Sequence, residues 1–146
     1  AGFIAAAQAE ITAQDTPVPP TLAEHKASAG AYIDAEAGRA RAQFITVTPG
    51  QEMTYLEKVT QAQALLAIEN GADIDEDDFP LMFGEVGITA DSAAGVAGII
   101  LQRYLGWQVI GASIERTRLK AKKDVAAAQD AAGIIAILAG LSWPQA

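Results

Sequence analysis

The residues that could support catalysis are few, and their spacing does not match a known catalytic arrangement. His25 is the only histidine and stands between Glu24 and Lys26 among alanines. A serine–histidine–acid triad would need an activated serine, and no Gly-x-Ser-x-Gly turn occurs. A lone histidine without a metal-spaced partner indicates an ordinary surface or hydrogen-bonded residue. We therefore predict no catalytic residues and a protein that is not an enzyme.

Alternating carboxylates at Asp73, Asp75 and Asp77 are the feature closest to a metal site. The spacing matches the first three ligands of an EF-hand calcium loop, but Asp78 stands where that loop needs glycine and Gly84 where it needs glutamate. The segment is therefore expected to be a solvated acidic link. Phosphate-binding glycine loops and Glu-x-x-His metal pairs are also absent, so we predict no cofactor and no metal.

The composition favours helices with a thin core. Hydrophobic residues make up 51% of the 146 residues, yet much of this share is alanine and aromatics are only 6%. Alanine promotes helix formation but buries little apolar surface. The length fits one domain, and such a core predicts that a second copy or a partner completes it. The chain has no cysteine, which excludes disulfides and thiolate chemistry.

Charge is unevenly distributed along a chain of net charge -8. Eight carboxylates and no base lie in 69–91, whereas five bases and no acid lie in 116–123. The two runs either attract each other, within the fold or between subunits, or form separate solvated faces. The net charge argues against nucleic acid as a partner. The longest apolar run, 131–141, is far shorter than the ~20 residues of a membrane span, and no signal peptide is evident.

Helix signals divide the chain into an arm and a body. Three prolines within 17–20 separate an N-terminal arm, 1–19, from a helical domain, 20–146. Periodicity predicts a first helix over 21–44 and a second over 49–70, with Thr48, Pro49 and Gln51 as its capping box.

The remaining signals predict a short helical turn over 79–83 and then one long helix over about 90–129, capped by Thr89. Asp130 is expected to cap a last helix that ends at Gly140. The predicted fold class is an all-α helical bundle. Glycines within the long helix suggest that another backbone approaches closely there, and they leave open whether it bends at Gly106 or Gly111.

Partner contacts are the remaining functional candidates. Trp107 fits the apolar stripe of the long helix and is expected in the core, whereas Trp143 either packs the C-terminal tail down or faces a partner. The arm contributes large apolar groups and the basic run contributes charge. The candidate partner-contact residues are Phe3, Ile4, Trp143, Arg116, Arg118, Lys120, Lys122 and Lys123.

Residues 32–143 resemble a group of phage and prophage proteins of unassigned function, often encoded beside tail-fibre and other tail genes. The resemblance is strongest in the stretch Pro-Gly-Gln-x-x-Thr-Tyr-x-x-Lys at 49–58 and in Phe-Pro-Leu at 79–81. It also covers Arg-Ala-Arg-Ala-Gln-Phe at 39–44, Glu-Val-Gly-Ile-Thr at 85–89, and Trp107 followed by Ile-Glu-x-x-Arg at 114–118. The group has no established catalytic residues to transfer.

The resemblance implies a structural virion component in the bacteriophage tail or its fibres, made in the bacterial cytoplasm. Its expected partners are other phage structural proteins and further copies of the same chain. The alternative is a phage binding module outside the particle, such as a tail-fibre assembly chaperone or a host-directed adaptor. Detection only in infected cells would favour that alternative.

Overall fold

The computed structural model describes residues 17–45, 50–68 and 73–146. Phe3, Ile4 and the arm before Pro17 lie outside the described residues. The described part is all-α, which confirms the predicted fold class. Its helices are α1 (Leu22–Ala42), α2 (Gln51–Ala67), the four-residue α3 (Pro80–Phe83), α4 (Ala93–Ala127) and α5 (Ala131–Ala139). A 3-10 turn, Glu76–Asp78, precedes α3.

The predicted long helix is confirmed as α4, which runs without a break through Gly106 and Gly111. Its 35 residues correspond to about 52 Å. The first turn is capped by Ser92, whose Oγ accepts a hydrogen bond from the Gly95 amide at 3.0 Å. The predicted cap of the last helix is also found, because Asp130 Oδ1 accepts from the Gly133 amide at 2.7 Å. None of the described helices is long and apolar enough to cross a membrane.

Two groups of helices pack along different parts of α4, α2 with α3 and α1 with α5. Toward its N-terminal end, α2 and α3 enclose a core around Val59, Leu65, Met82 and Ile100. Toward its C-terminal end, α1 and α5 contribute to two further apolar clusters, around Ile33 and around Ile114. Helix α1 runs antiparallel to α4, since Lys26 near its start donates to the Ala126 carbonyl at 2.7 Å and Arg41 near its end donates to Glu115 at 2.8 Å. The bundle therefore depends on α4 as its common element.

The buried face of α1 is almost entirely alanine. Ala29, Ala37 and Ala40 are buried, and Ile33 is the one large apolar side chain among them. Small side chains let helix axes approach closely, but each contributes little apolar area. Ile33 is fully buried and packs with Ala121, Val125 and Ile134. Ile33 therefore provides much of the apolar contact between α1 and its neighbours α4 and α5.

Two predicted caps were wrong. The second helix begins at Gln51 with Gly50 as its N-cap, at φ 83°, so Gln51 is the first helical residue and not the third of a capping box. Thr48 and Pro49 lie outside the described residues. The long helix is capped by Ser92 and not by Thr89, which still belongs to the preceding turn: the Thr89 amide donates to the Glu85 carbonyl at 2.9 Å and its hydroxyl donates to the Glu85 carboxylate at 2.6 Å.

The expectation that another backbone approaches the long-helix glycines was also wrong for the described residues. A Cβ at Gly98 or Gly106 would meet open space, and at Gly111 it would contact the ring of Trp107. At Gly95 the nearest atoms are side-chain atoms of Ala90 and Ser92. These glycines are not required by helix packing within one chain.

A polar contact ties the turn before α4 to α2. Lys58 Nζ and the Thr89 hydroxyl both donate to Glu85, and both side chains of the Lys58–Glu85 pair are mostly buried. The hydrogen bond from Lys58, followed by the one from Thr89, lowers the pKa of Glu85 below its usual value. Glu85 therefore stabilises the fold in its ionised form.

We expect Ile33→Ala to lower the free energy of unfolding by about 2–5 kcal/mol, because it deletes a buried side chain and leaves a cavity. Ile88, which is 83% exposed, provides the control: Ile88→Ala should change the value by less than about 0.5 kcal/mol. Urea unfolding followed by circular dichroism measures both. Equal effects of the two substitutions would contradict the packing described for α1.

We expect the coupling between Lys58 and Glu85 to depend on pH. A carboxyl whose pKa is lowered by folding adds stability above its unfolded pKa, about 4.3, and loses that contribution as the pH falls through the folded value. A double-mutant cycle with Lys58→Met and Glu85→Gln should give a coupling free energy of up to about 1 kcal/mol at pH 7 and a progressively smaller one below about pH 4. Coupling that is unchanged at pH 3 would contradict this account.

Candidate protein-binding surface

The described residues contain no group of three or more His, Cys, Asp or Glu side chains that could hold a metal. His25 is half-buried in the first turns of α1. The acidic link at 75–78 forms the 3-10 turn, where Asp75 Oδ1 accepts from the Asp77 amide at 3.0 Å. The surfaces that remain to be considered are the basic run, the C-terminal tail, an aromatic groove and the outer face of α4.

The middle of the basic run is engaged in contacts to α1. Asp34 accepts from Arg118 at 2.9 Å and from Lys122 at 2.7 Å. Glu115 accepts from Arg118 and, at 2.8 Å, from Arg41. These residues form a ladder of charged side chains along the α1–α4 contact. Arg118 and Lys122 were candidate partner contacts, and the structure places both in ion pairs within the chain.

The ladder shifts the pKa of its members in the directions that favour ionisation. Hydrogen bonds from Lys122 and then Arg118 lower the pKa of Asp34, and the hydrogen bond from Arg118 lowers that of Glu115. Conversely, the bonds to Glu115 and Asp34 raise the pKa of Arg118. The side chains remain partly exposed, so water and salt screen the attraction. The ladder orients α1 on α4 more than it stabilises the fold.

The other basic residues face outward. Lys120 pairs with Asp124 one turn later on the same helix, at 2.7 Å. Arg116 and Lys123 are exposed. Among the described residues, the ion pairs of the basic run are made with Asp34, Glu115 and Asp124 and not with the acidic run. The two runs therefore do not neutralise each other within one copy of the described chain.

Trp143 packs the C-terminal tail against the bundle. Its half-buried ring contacts the apolar clusters around Ile33 and Ile114. Its indole Nε1–H is buried and has no hydrogen-bond acceptor among the described residues. Of the two roles considered for Trp143, the structure shows the packing contact.

An open groove of about 790 Å³ lies between the start of α2 and the middle of α4. Its aromatic lining comprises Phe44, Tyr55, Tyr104 and Trp107. Burial raises the pKa of Tyr55, whose ring centroid lies 6.4 Å from that of Tyr104. Trp107, expected in the core, is half-buried and contacts the core near Ile114 while its ring also lines the groove. The groove is lined mainly by apolar and aromatic side chains, with Glu52 and Arg103 also in its wall.

The outer face of α4, opposite its packed face, is uncovered by the rest of the described chain. Every third or fourth residue along it is exposed, and Leu105 and Val109 are 61% and 74% exposed. We call this row the outer stripe. It consists of Gly98, Gln102, Leu105, Val109, Ala112, Arg116, Leu119 and Lys123.

The outer stripe was missed in the sequence because two apolar series with the same helical spacing run along α4. The series that contains Val96 and Ile100 was assigned to the core; Val96, Ile100 and Ile114 are buried, and the members between Ile100 and Ile114 are half-buried. The second series, which contains Leu105 and Val109, repeats at the same spacing of three and four residues. This repeat was the feature of the sequence that could have identified the outer stripe. A helix with apolar residues on two faces is typical of one that packs on both sides.

Comparison with known proteins identified no relative of this chain. No family model matches it, and neither does any curated protein or solved structure.

We expect Arg118→Ala to lower the thermal midpoint more than Arg39→Ala. Both arginines pair with a glutamate three residues earlier, but only Arg118 also reaches another helix, through Asp34. The difference between the thermal midpoints of the two variants therefore reports the interhelical contact of Arg118. This difference should be smaller in high salt, because salt screens the ion pair. Differential scanning fluorimetry in low and high salt measures it. Equal midpoints in low salt would contradict the role given to the ladder.

Proposed function

We propose that this protein is a structural, non-catalytic component of a bacteriophage particle, associated with the tail or its fibres. In this proposal it acts through protein–protein contacts and oligomerisation. The phage context is supported by the resemblance of residues 32–143 to phage and prophage proteins encoded beside tail genes. The mode of action is supported by the outer stripe, which leaves large apolar side chains of the longest helix in solvent.

The outer stripe is the observation that carries the proposal. In a monomer, the exposed side chains of Leu105 and Val109 add no hydrophobic stabilisation. A neighbouring helix would bury both side chains and remove their apolar surface from water. The proposed partners are other phage structural proteins and copies of this chain. Nucleic acid is not among them, because the net charge is -8 and Arg118 and Lys122 already pair with Asp34.

The aromatic groove favours a second candidate function. An assembly chaperone or a host-directed adaptor presents apolar surface that a client covers transiently, and the groove offers Phe44, Tyr55, Tyr104 and Trp107 for such contact. In that case the protein would be made during infection but would be absent from finished particles.

We expect the protein to co-purify with phage particles. Particles from an induced lysate, separated on a density gradient and treated with nuclease, should contain the chain at a fixed ratio to a known tail protein by quantitative mass spectrometry. A soluble phage enzyme from the same lysate is the matched control and should be absent from the particle fraction. Detection of the chain in the lysate alone would refute the virion assignment and favour the chaperone or adaptor.

A further inference from the structure

The outer stripe has the pattern of a helix–helix seam. Its members follow one another at alternating spacings of four and three residues, which keeps them on one side of a helix that pairs with another. Arg103 is the only charged residue between 92 and 114, and it lines the groove instead of the stripe. The central part of the stripe, 98–112, is therefore uncharged, and the part from Arg116 onward is basic.

We propose that the outer stripe binds the outer stripe of a second copy, with the two α4 helices antiparallel and related by a twofold axis near residue 107. This inference rests on the oligomerisation included in the proposed function and specifies the partner, the surface and the orientation.

From Gly98 to Arg116 the spacing of the stripe is self-complementary about this axis. Residues at equal distances from position 107 meet across it, so Leu105 of one copy lies opposite Val109 of the other, and Gln102 lies opposite Ala112. Gly98 then faces Arg116, where the absence of a side chain leaves room for the long arginine stem. A twofold interface requires such matching, because the same surface serves both copies.

The charge distribution decides the orientation. The basic residues of the stripe lie toward the C-terminal end of α4, and seven carboxylates with no base lie in 73–91, leading into its N-terminal end. An antiparallel pair places the basic end of each copy beside the acidic segment of the other, with Lys123 near Asp91. A parallel pair would bring like charges together at both ends. Electrostatic complementarity therefore selects the antiparallel arrangement.

The expected dimer is modest in affinity. Leu105, Val109 and Leu119 are the only large apolar side chains in the stripe, and the Lys123–Asp91 pair lies at the exposed rim. A seam of this kind gives dissociation constants on the order of micromolar, since buried area is offset by the entropy lost on association. Measurements must therefore span low to high micromolar protein concentrations.

The first test is the mass in solution by size-exclusion chromatography with light scattering. The wild-type chain of 15.1 kDa should reach twice that mass at high concentration, and Leu105→Glu should stay monomeric with unchanged helical circular dichroism. Ile135→Glu is the matched control: Ile135 is 66% exposed on α5, outside the stripe, and its variant should dimerise normally. A wild-type monomer, a trimer, or a dimer that Leu105→Glu leaves intact would overturn the inference.

The orientation is tested by disulfide cross-linking, which the absence of native cysteine makes unambiguous. Two variants, Leu105→Cys and Val109→Cys, carry different tags. Each is oxidised alone, and an equimolar mixture of the two reduced variants is oxidised in parallel. Antiparallel pairing predicts several times more disulfide between the two variants than within either. Predominant 105–105 and 109–109 disulfides would overturn the antiparallel arrangement.

A charge exchange tests the contact between the ends. Lys123→Asp or Asp91→Lys alone should raise the dissociation constant roughly three- to tenfold, and the double variant should restore it. No restoration in the double variant would exclude the Lys123–Asp91 contact and the register proposed. These outcomes are independent of particle association, since a stripe-mediated dimer absent from virions would leave this inference standing and refute only the virion assignment.

Discussion

The packing of small-faced helices against a single long helix is the constraint on which the rest of this structure depends. Ala37 and Ala40 of α1 lie against Ile114 of α4, and Ala62 of α2 belongs to the cluster that includes Ala97. Such contacts bring helices close but bury little apolar area for each residue ordered. A few larger side chains such as Ile33 supply most of the apolar contact, and the ion pairs along α1 orient that helix on α4. Both groups of helices pack on α4, so the continuity of α4 determines where the other helices lie.

The same constraint leaves surface unfilled. Because α1 and α5 cover one end of α4, and α2 and α3 the other, the groove between them stays open and the outer face of α4 stays bare. The groove is lined mainly by apolar and aromatic side chains, and the central part of the outer stripe is uncharged. Both surfaces suit contacts with proteins, which is the basis for proposing a structural role over a chemical one.

The sequence was sufficient to predict the helices, but not all of their ends and not the outer stripe. Periodicity identified α4 and α5, and Asp130 was recognised as a cap from its residue type and its place just before an apolar helical run. Thr89 has the same capping chemistry, but it lies in the turn that begins at Glu85, and the helix starts only after that turn, at Ser92. Likewise, nothing local shows that Arg118 meets Asp34, 84 residues away, whereas Arg116 remains exposed.

The central claim, that α4 is one continuous helix, is tested most directly by a distance between its ends. Spin labels on cysteines introduced at the exposed positions Ala94 and Ala126 would be the only two labels in the chain, because it contains no cysteine. Double electron–electron resonance, on labelled protein diluted into unlabelled protein, should give a narrow distribution near about 48 Å, the length of 32 helical residues. A broad distribution centred well below 40 Å would show a break at the glycines and contradict this account.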